Sequence, residues 1–326
     1  MANLIEYKKF SFINIDDHFF DSLKEDYPEF EEWFGRKSVQ GEEAIVQYDE
    51  EGHLQGFLYT KDESQEVDNN ITPVMKPKRR LKVGTFKIDA HNTRLGEKFI
   101  KKIMDRAIYE GFEEAYVTIF PKHNRLIDLL KRYGFKDYGT KHEELVLLKD
   151  FSVCMGNIVY DYPLIQPKHK RKFLLSIYPK FHTPLFSDSI LKNEVRNTED
   201  LVKDVSFSNS IHKVYVCFMP KTATLKKGDL IAIYRTNDGM GPARFRSVVT
   251  SICQVEEVRT KCDFLSIEEY LKYCKYYSIF KEYDLRKWYQ NDNLVVIKMT
   301  YNIALAKRIT RGMLSTICFL LPCLSV

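Results

Sequence analysis

The sequence predicts an α+β protein in which a mixed sheet flanked by helices, over residues 1–150, precedes a small β-barrel with an inserted helix, over 169–310. Three observations lead there. The 326 residues exceed one typical domain. The first half switches repeatedly between strand-like and helix-like apolar spacing, whereas the second strings short strands between turns. The charge also divides at that point. Residues 1–150 carry 24 Lys/Arg and 29 Asp/Glu, a balance of −5, which leaves +10 for the remainder and suggests two units with different partners.

Taken in order, "LIEYKKFSFINI" contains a β-like run, and "DDHFFDSLKEDYPEFEEWFGRKS" reads as one or two helical segments around Pro28. "EEAIVQYDEEGHLQGFLYT" is two strands meeting at Glu51-Gly52, a hairpin signal. The stretch "KDESQEVDNNITPVMKPKRR" has two prolines and no apolar period, which predicts a loop with some extended chain. "LKVGTFKID" is rich in β-formers; from Arg94 onward Leu95, Phe99, Ile103 and Ile108 take helical spacing, giving a helix with one buried face. "EEAYVTIF" is apolar enough for a central strand. "NRLIDLLKRYGF" is a short helix with Gly134 as its left-handed cap, and "EELVLLKD" is the last strand. Residues 151–168 form a connecting linker. Then "KFLLSIYP", "SIHKVYVCFMP", "DLIAIYRT", "FRSVVTSICQVEEV" and "NLVVIKMTY" are strands, with a "KKGD" turn at Lys226 to Asp229. One helix interrupts them, with Ser266 and Glu269 as its capping box, and Tyr270, Leu271, Cys274 and Tyr277 as a core-facing stripe.

The composition, 44% hydrophobic and 29% charged, excludes wholesale disorder and fibrous architectures. The N-terminus has no long apolar run behind a basic start. The last residues, 311–326, are apolar, but they are interrupted by Pro322 and too short to span a bilayer, so they read as a packed or frayed tail. Seven scattered cysteines without C-x-x-C suit reduced thiols and a cytoplasmic location. There is no metal-site signature and no membrane partner is expected; the oligomeric state is not legible.

The stretch "FKIDAHNTRLGEKFIKKIMDRA" carries the first chemical signal. A strand feeding a helix leaves unpaired N–H groups at the helix start, and these, with the helix dipole, favour a phosphate. Placed before "AYVTIF" and "NRLIDLLKRYGF", this turn resembles that of the GNAT superfamily of acetyl-CoA-dependent N-acetyltransferases, over residues 1–150. In that family a Q/R-x-x-G-x-G/A turn binds the pyrophosphate of coenzyme A through main-chain amides. The strand before it binds the pantetheine arm at a splay between that strand and the next. The resemblance implies acetyl-CoA as cofactor. It assigns Phe86, Lys87 and Ile88 to the arm and His91, Asn92, Thr93, Arg94, Leu95 and Gly96 to the pyrophosphate, with only Gly96 matching a family glycine. In the second family motif, N-x-x-A-x-x-L-Y-x-x-x-G-F, His123 falls at the asparagine position with Asn124 beside it. Leu129 falls at the leucine and Leu130 at the tyrosine that commonly protonates the thiolate. Tyr133, three residues on, is the substitute acid, or else a core aromatic. Asp89 and His123 are the nearest candidates for a base, or else a turn cap and a solvated loop residue.

"LKKGDLIAIYRT" followed by "SVVTSICQVEEV" resembles the PUA-like group of small barrels, which includes the ASCH domains. That resemblance implies RNA as partner, and the +10 balance agrees with it. The expected contacts are Lys170, Arg171 and Lys172, then Tyr234 and Arg235, then Arg244 and Arg246. Together the two halves suggest an N-acetyltransferase acting on an RNA-linked amine such as aminoacyl-tRNA, toxin-like and with an antitoxin or other protein partner. The alternatives are an inactive GNAT-fold RNA-binding or regulatory protein, or a protein N-acetyltransferase.

Overall fold

A computed structural model describes residues 5–65, 69–89, 94–189, 210–275 and 277–320. The chain divides into two units, at Met155 and Gly156. In the first, strands β1 (Ile5–Lys9), β2 (Glu43–Tyr48), β3 (Leu54–Asp62), β4 (Ile71–Thr72), β5 (Arg80–Ile88), β6 (Glu114–Ile119), β7 (Lys136–Lys141) and β8 (Glu144–Asp150) form one sheet. Their order is β1-β2-β3-β5-β6-β8-β7-β4. Every neighbouring pair is antiparallel except β5 and β6, which run parallel. Helices α1 (Asp21–Asp26), α2 (Phe30–Val39), α3 (Leu95–Glu110) and α4 (Asn124–Arg132) complete the unit.

Local signals fix many of these elements. Gly52 turns β2 into β3 at φ +90°, and Asp49 accepts the His53 N–H at 2.7 Å. Gly134 caps α4 at φ +86°, while the Phe135 N–H reaches back to the Leu130 carbonyl at 3.2 Å. Within the expected loop, Ile71–Thr72 is extended and pairs with β7. An aromatic cluster of Phe10, Phe20, Phe30, Phe34, Phe57 and Tyr59 holds α2 to the sheet. The sequence reading missed β7, whose "KDYGTK" has no buried residue and lacks apolar alternation.

In the second unit β9 (Lys172–Ile177), β10 (His212–Cys217), β11 (Leu230–Arg235), β12 (Val248–Thr260) and β13 (Val295–Thr310) form a sheet in the order β10-β13-β12-β11-β9. Among the described residues this sheet is open, with β9 and β10 as its edges, so the expected barrel appears only as half of one. Register shifts in β12 at Val249/Ser251, Ile252/Cys253 and Val255/Glu257 bend it. One apolar cluster gathers Ile177, Ile231, Ile233, Cys253, Ile297 and Met299. A second joins Val214, Val216 and Val296 to the helices Ile267–Lys275 and Glu282–Trp288. Tyr270 and Cys274 are fully buried there, as the stripe required, with Leu271 and Tyr277 packed against them. The capping box is half formed: Ser266 accepts the Glu269 N–H at 3.2 Å, but Glu269 accepts from Leu265.

Part of the expected linker is a folded piece of this unit. The buried Tyr162 donates to the Tyr301 carbonyl at 3.1 Å, and the Asn302 amide donates to the Pro163 carbonyl at 3.2 Å. Residues 311–320 of the apolar tail are helical, and the remainder of the tail lies outside the described residues. No described helix is long and apolar enough to cross a membrane.

Candidate functional site

The first unit's sheet opens at its centre. β5 and β6 stay in register from Arg80↔Glu114 to Val83↔Val117 and no further. Beyond that point β5 follows β3 to Ile88, and β6 follows β8 to Ile119. The two parallel strands are thus splayed over Gly84–Ile88, the feature that the GNAT resemblance implied. The Asp89 N–H donates to the Gln55 carbonyl at 3.1 Å, and main-chain groups alternate sides along a strand. Thr85 and Lys87, which face Tyr59 and Phe57, therefore bond toward β3. Phe86 and Ile88 turn their N–H and C=O to the open edge. Such groups need a partner from water or a ligand.

Because β5 and β6 are parallel, the helices that follow them both begin at the splayed end. Of the six residues expected to hold pyrophosphate, His91, Asn92 and Thr93 lie outside the described residues. Arg94 precedes α3 with φ −98°, in ordinary right-handed space, and its guanidinium is 3.3 Å from Glu97. Leu95 is buried. Gly96 has a packing reason to be glycine: a Cβ there would stand 2.7 Å from Leu129 of α4 and 3.6 Å from Ile88. This packing is a second reason for glycine beside the main-chain role expected of it. Lys98, one turn into α3, is buried and has no ion pair among the described residues, and burial pulls its ammonium down to about 8. A cation is unfavourable at a helix start, whereas an anion is stabilised there.

The predicted catalytic residues fare differently. Asp89 is half-exposed at the end of β5, 3.8 Å from the Lys87 ammonium. His123 is exposed just before α4, and its Nε2 lies 3.3 Å from an Asp26 carboxylate oxygen. Asp26 is 10% exposed and also pairs with Lys122. If that contact is a donation from Nε2–H to Asp26, Nδ1 keeps its lone pair and is the basic atom. No described contact joins His123 to Asp89. Tyr133 is overturned as a proton donor: its side chain is fully buried, because the chain turns inward at the Gly134 cap. Leu130 is likewise core. Asn124 is exposed at the first turn of α4.

Sequence reasoning missed Asp26, Tyr27 and Glu144. Tyr27 packs on Phe120 at 5.3 Å and donates to Glu144 at 2.6 Å. Burial, then the Glu144 carboxylate, pushes the phenol well above its ordinary range, so it positions Glu144 and is a poor acid.

The seven RNA candidates of the second unit do not form one surface charge patch. Arg235 is buried beside Asp238, which corrects its assignment as a contact. Arg246 is held bidentately by the same Asp238, with Nε to Oδ1 at 2.5 Å; this pairing keeps that carboxyl far below its usual range. Arg171 is clamped by Asp229, with Nε to Oδ1 at 2.9 Å. The charges of both arginines are therefore already compensated. Lys170, Lys172 and Arg244 are exposed, and Tyr234 is half-buried.

No family model matches the sequence, and no curated protein does. Solved structures similar to it include PaiA N-acetyltransferase from Thermoplasma acidophilum in complex with coenzyme A, at 14% identity over 45% of this chain and 99% of that one, with TM-score 0.31. Others are GNAT-family acetyltransferases from Staphylococcus aureus, at 13% identity over 45% and 99% with TM-score 0.33, and from Listeria monocytogenes, at 13% over 45% and 94% with TM-score 0.31.

Proposed function

We propose that the first unit is an acetyl-CoA-dependent N-acetyltransferase. The single observation that carries this reading is the splay, where one strand of a parallel pair presents the main-chain groups of Phe86 and Ile88 to an open edge, with the start of α3 at the same end. An extended amide-bearing arm can bond to that edge as a strand would, and a phosphate suits the helix start. Acetyl-CoA supplies a thioester whose carbonyl carbon an amine can attack. His123 takes the amine proton at Nδ1, the C–N bond forms, and the C–S bond breaks. Asp26 fixes the orientation of the imidazole. With Leu130 and Tyr133 in the core and Tyr27 a poor acid, no tyrosine is assigned to the thiolate, which is a good enough leaving group to depart unprotonated.

The RNA-linked acceptor expected from the sequence has little support here, since Arg171, Arg235 and Arg246 are buried or paired. Calorimetry with coenzyme A on the wild type, Ile88→Pro and Ile88→Ala tests the reading. Proline removes an N–H on the open side and no bond to β3, so Ile88→Pro should lose up to about tenfold in affinity, the value of one hydrogen bond, with the alanine variant close to wild type. Absence of wild-type binding sinks the proposal. Binding without turnover on any amine favours the inactive regulatory fold instead.

A further inference from the structure

We infer that the open edge of the first unit's sheet takes a second copy of this chain, β1 pairing antiparallel with β1 of that copy about a two-fold axis at Tyr7. The inference goes beyond the acetyltransferase reading and does not depend on it. β1 is the edge strand: among the described residues it pairs with β2 alone, in unbroken register from Ile5↔Gln47 to Lys9↔Glu43. One step further, the Phe10 N–H donates to the Glu42 carbonyl at 3.0 Å, so Phe10 and Glu42 are a hydrogen-bonded pair, and such pairs alternate along an antiparallel ladder. Glu6 and Lys8 therefore direct their main-chain groups to β2. Ile5, Tyr7 and Lys9 turn theirs outward, and Glu6, Tyr7 and Lys9 are exposed, Tyr7 by 65%. An exposed row of outward N–H and C=O groups is a template for another strand.

The charges of the strand say what the occupant is. An axis at Tyr7 sets Tyr7 opposite its own copy, Ile5 opposite the second copy's Lys9, and Glu6 opposite the second copy's Lys8. The Tyr7 pair and both Ile5–Lys9 pairs then exchange main-chain bonds, and both Glu6–Lys8 pairs fall at the positions between them, where facing side chains come closest. Within one chain neither charge is compensated. Glu6 has no ion pair among the described residues, and the Lys8 ammonium meets only neutral groups there, the Tyr48 hydroxyl at 3.1 Å and the face of its ring. Neighbouring registers are worse: an axis at Glu6 or at Lys8 sets identical charges opposite one another, and an axis at Lys9 runs the pairing into the turn of Phe10–Phe12. An edge guarded by lysines alone repels a second copy, whereas Glu6 here offers each Lys8 a counter-charge. The edge is self-complementary, as a two-fold interface requires.

Sedimentation velocity of the full chain at low salt, over a concentration series reaching about 1 mM, tests this. One short strand pair is a small interface, so the dimer should be transient, its population rising through the series. Glu6→Lys and Lys8→Glu, each alone, turn two attractive pairs into two repulsive ones and should weaken the dimer by about tenfold or more. Glu6→Lys combined with Lys8→Glu in one chain restores opposite charges and should recover wild-type association, and an equimolar mixture of the two single variants should form a heterodimer. Tyr7→Pro removes an outward N–H and none bonded to β2, so it should leave a monomer with unchanged circular dichroism. A wild type that stays monomeric throughout overturns the inference. So does a dimer that the single swaps leave intact, or a loss that the double variant or the mixture fails to restore.

Discussion

Replacing Lys98 by methionine should stabilise the first unit at neutral pH, and the gain should vanish in alkali. The ammonium is buried without a counter-charge among the described residues, and desolvation lowers it from its ordinary 10.5 to about 8. At about 1.4 kcal/mol per tenfold change in proton affinity, keeping Lys98 charged in the folded state costs about 3 kcal/mol. The sign follows from linkage. Between about pH 8 and 10.5 the unfolded chain holds this proton and the folded chain does not, so stability rises with pH across that window; below it the full cost remains. Urea unfolding of Lys98→Met against wild type measures it directly. The chain has two tryptophans, Trp33 and Trp288, and a Trp288→Phe background leaves Trp33, packed 5.6 Å from Phe10 in the first unit's core, as reporter. The methionine variant should lead by up to about 3 kcal/mol at pH 7 and converge with wild type near pH 10.5. A difference that stays constant with pH would refute the reasoning, because apolar packing alone does not titrate.

Gly96→Ala should cost about 1 kcal/mol in thermal or chemical unfolding, since overpacking against Leu129 (about 1–3 kcal/mol) outweighs the helix-propensity gain of about 1 kcal/mol. Coenzyme A affinity should hold; lost binding with intact stability would return Gly96 to the cradle. In the second unit, burial and then the charges of Arg235 and Arg308 depress His182 from 6.5 to about 3, and its Nε2 meets the Thr250 hydroxyl at 2.7 Å. The unfolded chain binds that proton at higher pH than the folded one, so the unit should lose stability as pH falls from 6.5 toward 3, by up to about 5 kcal/mol. Denaturant titrations at pH 4 and pH 7, read by Trp288 in a Trp33→Phe background, should show that slope flattened in His182→Gln; an equal slope in both proteins would contradict it.

What was legible in the sequence was local. The Glu51-Gly52 hairpin, the Gly134 cap and the spacing of α3 each depend on residues within a few positions, and each forms as read except at Ile108, which the expected buried face included and which is exposed near the end of α3. Arg235 was legible too, but its charge was weighed above its register. In "LIAIYR" strict alternation with Ile231 and Ile233 puts Arg235 on the buried face, and Asp238 compensates it there. Gly96 is a different case. A glycine at a helix start suits a ligand and a neighbouring helix alike, and the packing half of that, the approach of Leu129, lies thirty-three residues on and has no local signal. Asp26 is 97 residues from His123, and Tyr27 is 117 from Glu144. No spacing rule reaches across such intervals.

The splay itself explains why the reactive groups come from distant segments. β5 is committed on one side to β3 as far as Ile88, so the side released by β6 cannot be closed by strand pairing without losing the opening. Side chains that act at that opening must then come from elements that cross it. α1 crosses it, anchored by Lys87 at one end and by Lys122 and His123 at the other. Its short length, six residues, gives it little helical stability of its own, so these anchors set its position. The contact that orients His123 for proton transfer therefore also holds α1 in place. Asp26→Asn should accordingly lower kcat while coenzyme A affinity holds in calorimetry, because the imidazole loses the carboxylate that orients it; an unchanged kcat would remove Asp26 from the reaction.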